Sequence, residues 1–199
     1  GHRNSPAVTC TLTKYGRLFT DVPADSWYYD SVGEIVQQGV MNGTGDYTFS
    51  PDTVMTRAML TTVLYNLAGA PEVGDNLGYP YADVDANAYY ALPVYWARQN
   101  GLVEGYPDNT FRPNAPVTRE QTAVLLCRFA AFRGMDTTAR ADLSVYTDAA
   151  QISAYAQDAM QWAAAAGLIS GRTATTLVPQ GSATRAEGAK ILTGFTALS

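Results

Sequence analysis

The chain has 199 residues, enough for one or two ordinary domains with a sizeable buried core. Hydrophobic residues make up 47% and charged ones 16%, which argues against a disordered chain. A net charge of -5 argues against a nucleic-acid surface spread over the whole molecule, and no apolar run approaches the ~20 residues that cross a bilayer.

The first residues, "GHRNSP", read as an expression scar and linker, with no basic-then-apolar secretory signal. They carry His2, the single histidine, so histidine triads and His-rich metal sites are nearly excluded. Two cysteines, Cys10 and Cys127, are too few for a disulfide framework or a four-ligand zinc site. Cys127 sits in a helical apolar pattern, where a small buried hydrophobe is the expected role. No metal or cofactor is expected.

Beyond this stub (1–18), one unit recurs three times. From Asp21, the residues Gly39, Gly43, Phe49, Pro51 and Arg57 lie at offsets 18, 22, 28, 30 and 36. From Asp83, Gly101, Gly105, Phe111, Pro113 and Arg119 repeat those offsets. From Asp148, Gly167, Gly171, Leu177, Pro179 and Arg185 follow at 19, 23, 29, 31 and 37, so copy three has one early inserted residue. The copies span 19–69, 79–134 and 144–199, joined by "GAPEVGDNLGYP" and "RGMDTTARADLS".

Each copy reads as helix, loop, helix. Val32 and Ile35, Val94 and Ala97, and Met160 and Ala163 mark the buried stripe of the first helix. That helix ends at Gly39, Gly101 or Gly167, where a left-handed cap is expected. A turn-rich loop ending in proline follows ("NGTGDYTFSP", "EGYPDNTFRP", "SGRTATTLVP"). The second helix carries Leu60, Val63, Leu64 and Leu67, matched by Thr122, Leu125, Leu126 and Phe129, and by Gly188, Ile191, Leu192 and Phe195. Such units cannot bury their apolar faces alone and must pack on one another, as an open solenoid or around a pseudo-threefold axis.

The second helix opens on Thr-Arg. Thr118 with Gln121 and Thr184 with Glu187 fit capping boxes, while Thr56 lacks the partner because Met59 stands there. Capping leaves Arg57, Arg119 and Arg185 unexplained, since a cation in the first turn opposes the helix dipole. Either each pairs with an acid such as Asp21, Asp83 or Asp148, or the arginine forks and free helix amides converge on an anion. Asp46 and Asp108 lack calcium-loop spacing and read as turn residues. The aromatic clusters Trp27-Tyr28-Tyr29, Tyr89-Tyr90 and Tyr95-Trp96 serve the core between copies or line a sugar-binding groove. No acid pair is marked out for glycoside hydrolysis.

"FTDVPADSWYYDSV", "YTFSPDTVMTRAM", "YADV" and "GLVEGYPDNTFRPNAPVTREQ" resemble S-layer homology (SLH) repeats, whose hallmarks are an F-x-D-V-like opening, a G-Y-x-D-x-T-F-x-P-like loop and a T-R-A-E motif. The resemblance covers about residues 19–199. It implies an all-α fold in which the three copies form one pseudo-threefold, three-pronged spindle. It also implies a non-catalytic, extracellular anchor on the bacterial cell surface. The implied partner is a secondary cell wall polysaccharide bearing pyruvylated N-acetylmannosamine, held in grooves between repeats. In that reading Arg57, Arg119 and Arg185 meet the pyruvate carboxylate, and the loop glycines Gly43, Gly105 and Gly171 contribute backbone. Copy three departs most in its loop, so the groove involving Arg119 is expected to be the most family-like. The alternative is an assembly module contacting neighbouring surface-layer proteins without binding glycan.

Overall fold

The computed structural model describes residues 19–74 and 81–198; the N-terminal stub, with His2 and Cys10, lies outside them. The described residues form six α-helices and no strand. Copy one supplies α1 (Tyr29–Gln37) and α2 (Arg57–Leu67), copy two α3 (Ala91–Gln99) and α4 (Arg119–Phe132), and copy three α5 (Gln157–Ala165) and α6 (Arg185–Thr196). The residues expected on the buried stripes are buried, from Ile35 and Val94 to Met160, Leu64, Leu126 and Leu192, except Leu67, which is partly buried against the core. Gly39, Gly101 and Gly167 end the first helices with φ of 71°, 68° and 71°, the left-handed geometry that a side chain resists.

The helices pack between copies rather than within them. The close pairs are α2 with α3, α4 with α5, and α6 with α1, so the last copy returns to the first. Thr193 of α6 fastens this closure by donating its hydroxyl to the Ser31 carbonyl of α1 (3.2 Å). A ring of backbone hydrogen bonds marks the axis. The Val117 N–H donates to the Met55 carbonyl (2.9 Å), Ala183 to Val117 (3.2 Å) and Met55 to Ala183 (2.8 Å). Three isolated antiparallel bridges, Thr56 with Pro116, Thr118 with Ser182 and Val54 with Thr184, flank the ring. The open-solenoid alternative is thereby removed: the copies close around a pseudo-threefold axis with one continuous core.

Candidate functional site

The three arginines cross from one copy into the loop of the next. Arg57 donates Nε–H to the Phe111 carbonyl (2.9 Å) and Nη2–H to the Glu104 carbonyl (3.1 Å). Arg119 does the same to Leu177 (3.0 Å) and Ser170, and Arg185 to Phe49 (2.8 Å) and Asn42 (2.7 Å). Arg119 and Arg185 are only 5% and 6% exposed, and burial draws both guanidinium pKa values down, with Glu187 opposing the shift at Arg119. The Arg57 and Arg185 guanidiniums lie over the Phe111 and Phe49 rings, at 4.7 and 4.5 Å from the centroids. Each fork therefore commits one edge to two backbone carbonyls and retains its Nη1 donors.

The opening aspartates are not ion-paired to these arginines. Asp21 accepts the amides of Phe49 and Ser50 (2.8 and 2.7 Å), Asp83 those of Phe111 and Arg112 (2.7 and 2.8 Å), and Asp148 those of Leu177 and Val178 (2.8 Å each). Ser50, Arg112 and Val178 all have positive φ, so each carboxylate holds a strained turn in place. These amides lower the Asp148 pKa, Leu177 first. One residue in each loop thus has its N–H held by its own aspartate and its carbonyl by the preceding copy's arginine.

The helix amides are also not free for an anion. The Arg57 and Ala58 amides donate to the Ala115 and Pro113 carbonyls, Arg119 and Glu120 to Gly181 and Pro179, and Arg185 and Ala186 to Thr53 and Pro51, all at 2.9–3.0 Å. The third amide goes to the capping threonine in every case, at 3.2 Å. Both capping boxes form, and Thr56 caps without a reciprocal partner. Positive potential at these helix ends is used to close the threefold, which leaves the guanidinium as the available donor.

Three grooves result, each assembled from all three copies and numbered here by the loop they contain. Groove one (about 370 Å³) combines Asn42, Gly43 and Thr44 with Met59, Thr62 and Asn66 of α2, Arg185 of copy three and Tyr89 of copy two. Groove two (about 250 Å³) combines Glu104, Gly105 and Tyr106 with Gln121, Val124 and Arg128 of α4, Arg57 and Tyr155. Groove three (about 460 Å³) combines Ser170, Gly171 and Arg172 with Glu187, Lys190 and Gly194 of α6, Arg119 and Trp27. Arg119 thus faces the divergent third loop, and Arg57 faces the most motif-conforming one, because each arginine serves the loop of the following copy.

Gly43, Gly105 and Gly171 line the three grooves and also meet a packing need. A Cβ at Gly105 would strike the Tyr81 ring, and Phe19 and Tyr146 crowd Gly43 and Gly171 in the same way. The aromatic clusters divide between the two roles. Trp96 is buried, Tyr28, Tyr29 and Tyr90 pack against the core, and Trp27 and Tyr89 stand 58% and 64% exposed on groove rims. Tyr155, 60% exposed, holds the third rim position and escaped the sequence reading. Counting the insertion would have found it, since it lies 7 residues after Asp148 where Trp27 and Tyr89 lie 6 after Asp21 and Asp83. Asp108 behaves as a turn residue, accepting from the Thr110 amide and hydroxyl (3.2 and 2.6 Å). Cys127 is half-buried against the core, and burial raises its thiol pKa.

The grooves differ in charge. Among the described residues, groove one has Arg185 as its single charged residue, beside Met41, Met55, Met59 and Val63. In groove three, Glu187 accepts from Arg172 Nε and Nη2 (3.1 and 3.0 Å) and lies 3.8 Å from Arg119 Nη1, while Lys190 Nζ sits 5.5 Å from the Trp27 ring centroid. In groove two Arg57 has no ion pair among the described residues, Arg128 pairs with Glu104 (3.4 Å), and Arg112 stacks on Tyr106 at 3.8 Å.

The sequence of an endoglucanase from Bacillus sp. (strain KSM-635) is 32% identical over 87% of this chain, a stretch that is 18% of the enzyme. The surface-layer 125 kDa protein of Lysinibacillus sphaericus is 28% identical over 70% of the chain and 12% of its own length. The cellulosome-anchoring protein of Acetivibrio thermocellus is 29% identical over 55% of the chain and 25% of its own length. The chain spans about a fifth or less of the first curated relatives it matches. The S-layer homology domain model matches residues 18–58, 80–123 and 145–189, one match for each structural copy, and the chain belongs to the S-layer homology domain family.

Proposed function

We propose that the chain is a non-catalytic anchor that holds its carrier at the bacterial cell surface by binding an anionic, pyruvylated secondary wall polysaccharide. Its setting is the cell wall, in keeping with the family and with the surface-layer and anchoring proteins among its relatives. The observation that carries the polysaccharide reading is the threefold recurrence of one composite groove. Each has an arginine whose Nη1 side is not bonded to a backbone carbonyl, a loop glycine and an exposed aromatic rim. Arg57, Arg119 and Arg185 would meet the ketal carboxylate through the Nη1 side of the fork, because the other edge is bonded to backbone. Gly43, Gly105 and Gly171 would present main chain, and Tyr89, Tyr155 and Trp27 would cover the sugar face. Binding is noncovalent and reversible, and no covalent step is part of it.

The test is pull-down on purified wall sacculi. The protein is expected to sediment with intact sacculi and to stay in solution once acid extraction has stripped the secondary polymer. Sedimentation unchanged by the extraction would contradict the reading, and self-association without sacculi would favour lattice assembly instead.

A further inference from the structure

Two oddities of the sequence meet at one place. Copy two has a glutamate, Glu120, at the second helical position where copies one and three have Ala58 and Ala186. Copy three has the inserted residue. Glu120 is 2% exposed and makes no ion pair among the described residues. Its carboxylate instead accepts the Ser153 amide (2.9 Å), the Ser153 hydroxyl (2.8 Å) and the Tyr155 hydroxyl (3.0 Å). The insertion lies in the segment that delivers these groups. The first two copies run there through two successive turns, closed by the Ser26 and Tyr29 amides on the Pro23 and Ser26 carbonyls and by the Ala88 and Ala91 amides on the Asp85 and Ala88 carbonyls, whereas copy three forms short 3-10 turns at Ala149–Gln151 and Ala154–Ala156 with Ser153 between them.

A buried carboxylate without a counter-ion loses several kcal/mol of hydration, which these three hydrogen bonds offset by tying Ser153 and Tyr155 to it. Tyr155 shows what it achieves here. The phenol is pinned at its hydroxyl while 60% of the residue remains exposed on the rim of groove two, facing a site that also contains Tyr106 and Arg57. Burial, then the bond to Glu120 and its charge, push the Tyr155 pKa up to about 12, so the phenol stays protonated and donating across the physiological range. Rim residues Tyr89 and Trp27 pack T-shaped on Tyr90 and Tyr28, with centroids 5.1 Å apart, and Lys190 Nζ lies 5.5 Å from the Trp27 centroid, but among the described residues neither rim side chain is held by a hydrogen bond as Tyr155 is.

We infer that Glu120 is a positioning residue, which fixes the Tyr155 ring as a rigid platform and makes groove two the preferred subsite for the sugar. This rests on the proposed polysaccharide binding. Locking a rotamer before binding removes an ordering cost that an untethered ring must meet on contact with ligand.

The experiment titrates the full chain with pyruvylated N-acetylmannosamine as a free monosaccharide, following the Gly105 and Tyr106 amide resonances so that groove two is read alone. Glu120→Ala, Tyr155→Ala and the double variant complete a cycle; alanine is already accommodated at this position in the other two copies. Glu120→Ala is expected to weaken binding about three- to tenfold with Tyr155 present, and to change it less than about twofold once Tyr155 is alanine. An equal loss in both backgrounds, or no loss in either, would overturn the positioning role. Wild-type shifts confined to grooves one and three would overturn it too, leaving polysaccharide binding intact. Absence of shifts in all three grooves would remove both.

Discussion

Grooves two and three are built on one plan and treat their cations in opposite ways. In groove three Glu187, the capping-box glutamate, also lies beside Arg119 and Arg172, so under the proposed function an incoming anion would compete with a carboxylate already in place. In groove two the corresponding cap is Gln121, which makes the same pair of capping hydrogen bonds (3.2 Å each) without a charge. Arg57 is then left with its carbonyl bonds and its aromatic neighbours. A threefold scaffold thus keeps the same closure in each copy while single substitutions at groove positions change the charge around each arginine.

The largest expected effect concerns stability. Arg119→Ala would remove the donors to the carbonyls of buried Leu177 and of Ser170, and should cost about 3 kcal/mol by thermal or denaturant unfolding. Arg57, which is half-buried, should cost clearly less on the same change. Equal losses would break the distinction between a structural and a more available arginine. Lost sacculus binding by Arg119→Ala therefore means little unless folding is checked alongside.

Exchange of the capping residue sharpens the comparison. Glu187→Gln keeps the box, as Gln121 shows, and should strengthen anion binding in groove three about threefold. Gln121→Glu should weaken groove two by a similar factor, measured by titration with the acidic monosaccharide. Unchanged affinities would mean that Glu187 does not compete with ligand.

A smaller effect is expected at low pH. The folded-state pKa of Asp148 is depressed by the Leu177 and Val178 amides, so its contribution is complete above the unfolded value of 3.8 and is lost as pH falls through the folded one. Asp148→Asn should lower stability at neutral pH and reduce the decline below pH 3.8, as followed by urea unfolding across that window.

The helices, glycine caps, capping boxes and buried stripes were all legible in the sequence, because each follows from local spacing. The destination of the arginines was not. The spacing from loop glycine to arginine is the same in every copy and cannot distinguish an arginine facing its own loop from one facing its neighbour's, so the expectation that the groove involving Arg119 is the most family-like fails: Arg119 faces the divergent third loop. The same limit hid the partners of the helix amides, which are carbonyls of the next copy. Glu120 stands out in the sequence as a glutamate where the other copies have alanine, but its partners, Ser153 and Tyr155, lie 33 and 35 residues away and no local spacing points to them.

The central claim is that anion and sugar are held together in grooves shared between copies. The most direct measurement compares amide shifts on adding pyruvylated N-acetylmannosamine with those on adding the unmodified sugar. The account predicts shifts at Gly105, Tyr106 and the neighbours of Arg57 with the pyruvylated sugar, and much weaker ones with the parent. Equal responses to both sugars, or shifts that fall outside the three grooves, would contradict it.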